Sequence, residues 1–417
     1  MIKHMEKLLV VLSIALLLTG CRGNAPPEPK LPQVAPPPPT TEAPPAIRSS
    51  SNRDVTLAPE LEQEVTPAAA AYDSLAKNYY DAGDYDKAIG YYEKALAIDL
   101  KTLVPEHPQI AATYNNVGLA YLHKGEHGKA LEYHEKFLAI QLKTFGQEHP
   151  NVAGAYNNIG GAYFNKGDYD QSIAYYEKSL AIKLKTLGSE HPSIAAAYNN
   201  IGSVYDNKGN YDVAIEYYKK AQTINLKSLD PKHLNVATTH SNVAKSYIGK
   251  REFDQAILFY EKSLAILLET HGPEHPAVAI TYDKIGKAYI DKEEFDQAIL
   301  FHEKSLAIKL QTVGPEHPNV AATYNNLGSA CSSNGDHDKA LQYKEKELAI
   351  WLKTLGRDHP VVAIAYSKVG TAYAKTGDKA KAKVSLLKAK GIFMKKFGPG
   401  HPHTKKTLSL IEALEKE

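Results

Sequence analysis

Residues 149–188 read HPNVAGAYNNIGGAYFNKGDYDQSIAYYEKSLAIKLKTLG, and this stretch decides the fold. Val152, Tyr156, Ile159, Gly160 and Tyr163 fall three or four residues apart, the spacing of one apolar helix face. Pro150 stands where a first-turn proline is welcome, because its missing N–H would have no partner there. Asn165-Lys166-Gly167 closes that helix, with Gly167 suited to a left-handed cap. Asp168 is placed to cap the next helix, with Gln171 three residues on. Tyr169, Ile173, Tyr176, Leu180, Leu184 and Leu187 then mark a second, longer apolar stripe. The stretch is predicted to be a helical hairpin.

The same pattern recurs every 42 residues. His-Pro pairs stand at 107, 149, 191, 275, 317, 359 and 401, with His233-Leu234 on the one missing beat. Tyr72, Tyr114, Tyr156, Tyr198, Tyr282, Tyr324 and Tyr366 keep the same step, and His240 fills the gap. A fixed period over the whole body means stacked supersecondary units. Eight hairpins are expected over 67–400. A last helix over 401–417, apolar only at Leu408, Ile411 and Leu414, reads as a cap on the open end of the stack.

Tyr156, Ile159, Gly160, Tyr163, Gly167, Tyr169, Ser172, Tyr176 and Ser179 resemble the signature of the tetratricopeptide repeat. In the first unit Tyr72, Leu75, Tyr79, Gly83, Tyr85, Ala88, Tyr92 and Ala95 do the same. That repeat is usually about 34 residues long. Here the second helix runs on through motifs such as Leu184-Lys185-Thr186-Leu187-Gly188, and the longer unit is similar to the repeats of kinesin light chains. The resemblance implies an all-α, right-handed superhelix (an α-solenoid) of eight hairpins plus the C-terminal capping helix. That family's N-terminal coiled coil has no counterpart here, so only the logic of a binding groove carries over.

The first twenty residues read as an address. Lys3 and Lys7 precede a nearly continuous apolar run over 8–18, too short for a membrane-spanning helix, which needs about 20 residues. The run ends in Leu18-Thr19-Gly20-Cys21, which resembles a bacterial lipobox, with Cys21 as the acylated new N-terminus. Dual acylation of one cysteine would anchor the chain stably. Arg22 in place of an aspartate favours, by that resemblance, the outer membrane facing the periplasm. The alternative is an ordinary cleaved signal peptide. From 21 to 66 the chain is proline-rich, with Pro36-Pro37-Pro38-Pro39 at its centre and almost no large apolar residues. Such a segment cannot bury enough surface to offset its ordering entropy. It is expected to be an extended spacer at about 3.1 Å per residue, or else a ligand for an aromatic groove.

Composition narrows the chemistry. The net charge of +2 gives no global bias toward nucleic acid, and no nucleic-acid partner is expected. The two cysteines, Cys21 and Cys331, lie too far apart in role to suggest a disulfide framework. Cys331 falls in a slot that is tyrosine in most units and is expected to be a buried thiol. Most of the seventeen histidines are periodic, so successive copies sit one repeat apart, whereas ligands of one metal converge to about 2 Å. No phosphate-binding glycine loop or serine elbow is present. No metal, cofactor or catalytic residue is expected.

The resemblance also implies that the first helix of each hairpin lines the concave face. The residue after each signature tyrosine then points into the groove. Those residues include Asn115, Asn157, Asn199, Ser241 and Asn325; Lys245 and Lys287 follow one turn on. An asparagine amide both donates and accepts, so a ladder of amides suits the main chain of an extended peptide, and the lysines would favour an acidic one. The second asparagine of each pair, such as Asn158 and Asn200, is expected to pack between repeats. The eighth unit is basic, with ten lysines and one acid over 375–406, and suits either an acidic partner or plain solvation. The expected function is a membrane-anchored scaffold binding protein or peptide segments. The alternative is an assembly factor for an envelope complex of the outer-membrane-protein or pilus type, and an enzyme is a distant third.

Overall fold

The computed structural model describes residues 66–416. The signal segment over 1–20, the lipidation call at Cys21 and all of the 21–66 linker except Thr66 lie outside the described residues.

Seventeen helices and no strand occur among the described residues. They run α1 (Pro67–Asp81), α2 (Tyr85–Thr102), α3 (Pro108–Lys124), α4 (His127–Phe145), α5 (Pro150–Lys166), α6 (Tyr169–Leu187), α7 (Pro192–Asn207), α8 (Tyr211–Ser228) and α9 (Leu234–Gly249). The order continues with α10 (Phe253–His271), α11 (Pro276–Asp291), α12 (Phe295–Thr312), α13 (Pro318–Ser333), α14 (His337–Leu355), α15 (Pro360–Lys375), α16 (Lys379–Phe397) and α17 (Pro402–Lys416). Each helix packs chiefly on the one before and the one after it, so the array is an all-α solenoid of hairpins. The last helix, α17, packs on α16 and touches α15, burying Thr404, Thr407 and Ile411.

The His-Pro pair proves to be a complete helix start. His149 Nδ1 accepts a hydrogen bond from the Asn151 backbone N–H at 3.2 Å, so the histidine is the N-cap and Pro150 is the first helical residue. The bond recurs from His107 to His401, and His233 keeps it although Leu234 replaces the proline. The sequence pattern showed only that these histidines recur once per repeat. An imidazole nitrogen on a short side chain does the work that Ser or Asp usually does, satisfying an orphan N–H of the first turn. Asp168 caps α6 through the Gln171 N–H, as its spacing predicts.

Inside each hairpin a small residue on the first helix admits a large one from the second. A Cβ added to Gly160 would stand 2.8 Å from the Tyr176 ring, and one on Gly202 would stand 2.7 Å from the Tyr218 ring. Between hairpins an exposed ladder repeats at a separation of 37 residues. Lys185 bonds to Glu148, Lys227 to Glu190 at 3.0 Å, Lys353 to Glu316 and Lys395 to Asp358 at 2.7 Å. In the fifth unit the signs are exchanged, with Lys232 meeting Glu269. Exposed pairs of this kind add little stability one by one. Their uniform spacing fixes which turn of one hairpin faces which loop of the one before.

Candidate functional site

The row of residues that follows each signature tyrosine lies half-buried along the first helices, and hydrogen bonds between repeats orient it. Asn158 Nδ2 donates to Asn115 Oδ1 at 2.7 Å, and Asn200 Nδ2 donates to Asn157 Oδ1 at 3.0 Å. The second asparagine of one hairpin therefore holds the first asparagine of the hairpin before it. The carbonyls of Asn115 and Asn157 are held by this bond, and their Nδ2 groups have no partner among the described residues. These two side chains keep both amide hydrogens free, while one lone pair of each oxygen is used between repeats.

The remaining expected groove residues are engaged in other ways. Asn199 Nδ2 donates to Thr239 Oγ1 at 3.2 Å, while its Oδ1 is buried without a partner. Ser241 and Ser263 share a hydroxyl–hydroxyl bond of 3.0 Å. Lys245 pairs with the buried Asp206 at 2.9 Å, and Ser246 donates to the same carboxylate at 2.6 Å. Lys245 is thus committed to an internal acid that the sequence pattern did not connect to it. Lys287 is exposed and forms no ion pair among the described residues. Asn325 Oδ1 accepts from Lys344 at 2.8 Å and from Lys368 at 2.7 Å.

Several titratable groups sit where other units carry neutral ones. Asp283 bonds to His302 Nδ1 at 2.9 Å and to Lys309 and Thr323. Burial pushes its carboxyl up, but the His302 bond and the Lys309 charge outweigh that and hold it below the usual range. In the first hairpin Asp73 is pushed up to about 6, first by burial and then by the Asp99 charge. Asp99 is fully buried, neither of its oxygens has a hydrogen-bond partner, and burial raises its carboxyl too. His134 occupies the slot of Tyr176. Its ring is fully buried, both nitrogens lack partners, and burial lowers it to about 4. Cys331 is buried as expected, and burial pushes its thiol up, the direction that suppresses the reactive thiolate. No group of three His, Cys, Asp or Glu side chains suited to a metal ion occurs among the described residues.

The family model of the tetratricopeptide repeat matches residues 67–143, 151–227, 194–269, 235–311, 301–351 and 319–395, together well over half of the chain. The chain belongs to the tetratricopeptide repeat family. Among solved structures it is similar to the kinesin light chain-type protein of Podosopora anserina with nearly identical TPR-like repeats. That match has 29% identity over 48% of this chain and 96% of the other, with a TM-score of 0.43. It is also similar to BtubC (BKLC) from P. vanneervenii, at 23% identity over 56% of this chain and 94% of the other, TM-score 0.48. The apo form of RapI shares 13% identity over 84% of this chain and 97% of its own, TM-score 0.54. No curated protein matches the chain.

Within this tetratricopeptide array the sequence reading missed one cleft. It lies among α13, α14 and α15, has a volume of about 340 Å³, and is lined by Asn325, Ser329, Lys344, Lys368 and Lys375 among others. A signal was available. Lys344 breaks a slot held by Tyr92, Tyr176, Tyr218 and Tyr260 in four other units.

Proposed function

We propose that the chain is a lipid-anchored scaffold of the bacterial envelope that holds an extended polypeptide segment along its first-helix face. The tetratricopeptide fold is a protein-interaction fold, and the one observation that supports the finer reading is the pre-oriented amide pair. Asn115 and Asn157 each have their carbonyl pinned by the next repeat and their Nδ2 group left to donate. Two donors one repeat apart, on helices packed about 8–10 Å from each other, suit main-chain carbonyls two or three residues apart on an extended segment lying along the array. Holding them before binding removes part of the ordering cost of association. Lys287, exposed and without an ion pair among the described residues, adds a preference for an acidic residue three repeats further along the array. The anchor rests on Leu18-Thr19-Gly20-Cys21. Among the described residues no helix is long and apolar enough to cross a membrane.

The test replaces Asn115 and Asn157 together by aspartate. Each Asp keeps an oxygen for the bond from Asn158 or Asn200 and exchanges only the free donor for a carboxylate oxygen. The full chain is presented to an envelope extract, and the polypeptide retained by the parent is followed in the variant. Loss of that polypeptide with unchanged helicity supports the reading. Equal retention refutes it. Separately, incorporation of labelled fatty acid into the parent but not into Cys21→Ser tests the anchor, and equal labelling of both would exclude Cys21.

A further inference from the structure

The seventh hairpin carries a buried cation that shares its one nearby carboxylate, Glu347, with a second lysine. The stem of Lys344 lies over Gly328, where an added Cβ would stand 2.8 Å from its Cε, just as the Tyr176 ring lies over Gly160. Its ammonium donates to the Asn325 backbone oxygen at 2.7 Å, to Asn325 Oδ1 at 2.8 Å and to Ser329 Oγ at 3.0 Å. All three of its hydrogens are spent on neutral acceptors. The nearest carboxylate, Glu347, stands 3.9 Å away and is itself bonded to Lys368 at 2.8 Å. Lys368 gives a second hydrogen to Asn325 Oδ1, which leaves one free. Lys375 bonds Ser332 Oγ at 2.8 Å and keeps two. Three ammonium groups therefore border this cleft against one carboxylate. The Nδ1 atom of His337 on its wall is buried without a partner.

A buried cation is costly unless an anion or a full set of hydrogen bonds offsets it; the hydrogen bonds of Lys344 are complete, but three ammonium groups still face one carboxylate, and Lys368 and Lys375 keep free hydrogens. Burial already lowers the Lys344 ammonium to about 8. We propose that the cleft among α13, α14 and α15 is an oxyanion site, taking a carboxylate or a phosphate group. The free hydrogens of Lys368 and Lys375 and the Ser332 hydroxyl form the donor set. Lys344 supplies charge from below through the Asn325 and Ser329 dipoles that it polarises. A volume near 340 Å³ admits one such group with a few attached atoms. The oxyanion is supplied either by an acidic residue of the polypeptide in the groove, which rests on the function proposed above, or by a free anion, which does not.

The test titrates the full chain in detergent with inorganic phosphate and, separately, with an end-blocked oligoglutamate peptide, by calorimetry. The single tryptophan, Trp351, lies seven residues from Lys344 on α14 and gives a fluorescence readout of the same event. Two variants are compared. Lys368→Gln with Lys375→Gln removes the free donors. Lys344→Tyr restores the side chain of four other units, so that the hairpin keeps its packing. The double variant is expected to weaken binding at least about tenfold, the scale of one charge-assisted hydrogen bond, and Lys344→Tyr to weaken it by a smaller factor, because Lys344 gives the anion charge but no hydrogen bond. Binding of phosphate alone assigns the site to a free anion, and tighter binding of the peptide assigns it to a polypeptide carboxylate. A parent that binds neither probe at millimolar concentration, or a double variant that binds both as the parent does, overturns the proposal. The Asn115/Asn157 variant should bind phosphate normally, so failure of the groove and failure of this cleft are told apart.

Discussion

His134 should make the second hairpin sensitive to mild acid. Its ring is fully buried against Gly118, where an added Cβ would stand 2.7 Å from the ring. Neither nitrogen has a partner, so the native state holds the neutral imidazole, and burial lowers it from 6.5 to about 4. The unfolded chain binds the proton near 6.5, the folded chain only near 4. Stability is therefore complete above about pH 7 and is lost as the pH falls between those two values. At 1.36 kcal/mol per pH unit the full loss is about 3 kcal/mol, and about 2 kcal/mol is lost by pH 5. His134→Tyr inserts the residue found at Tyr92, Tyr176, Tyr218 and Tyr260, which packs on the small residue of its own hairpin. Urea unfolding followed by circular dichroism at pH 7 and pH 5 compares parent and variant, and amide exchange of α3 and α4 localises the change, because repeat arrays open in parts. The variant should lose about 2 kcal/mol less than the parent between the two pH values. The same pH dependence in both proteins would refute the reasoning.

Three further outcomes follow from particular contacts. Arg251 and Glu293 hold positive φ angles of 61° and 65° where Gly167, Gly209 and Gly335 stand in other hairpins; Glu293→Gly should raise stability by about 0.5–1 kcal/mol in urea unfolding, because a left-handed non-glycine residue costs about 1–2 kcal/mol and glycine returns part of that as chain entropy. Gly202→Ala should cost about 1–3 kcal/mol, since its Cβ would meet the Tyr218 ring at 2.7 Å; a melting temperature unchanged from the parent's would contradict the packing described. His191→Ala should lower stability by about 1 kcal/mol through loss of the cap on the Ser193 N–H, with exchange of the first-turn amides of α7 accelerated and those of α11 unaffected.

The fold was legible because each repeat states it independently. The 42-residue recurrence of His-Pro, the tyrosine four residues before Gly160, and the Gly167-Asp168 junction are local signals, and stacking follows from their repetition. Function was less legible, because the face of interest is set by contacts between residues about 40 positions apart. The sequence placed Asn115 in the groove and Asn158 between repeats; only the stacked hairpins show that one pins the other. Lys245 reads as a free cation until Asp206, on the preceding first helix, is placed beside it. The Lys344 cleft was visible as a broken tyrosine slot, but its meaning depends on Lys368 of the next hairpin and on Glu347. The histidines illustrate the same limit on a local scale. Their period was plain, yet a cap is recognised only when Nδ1 is seen on the N–H two residues on.

The account turns on which face of the array holds the polypeptide, and site-specific photocrosslinking tests that directly. A photoreactive residue is placed in turn at Gly161, Ser203 and Lys287 on the first helices, and at the exposed Glu132, Glu216 and Leu300 on the second helices. The full chain is irradiated in its envelope extract. The account predicts adducts of one polypeptide from the first three positions and none from the other three. Adducts from the second-helix positions alone, or equally from both sets, would contradict it.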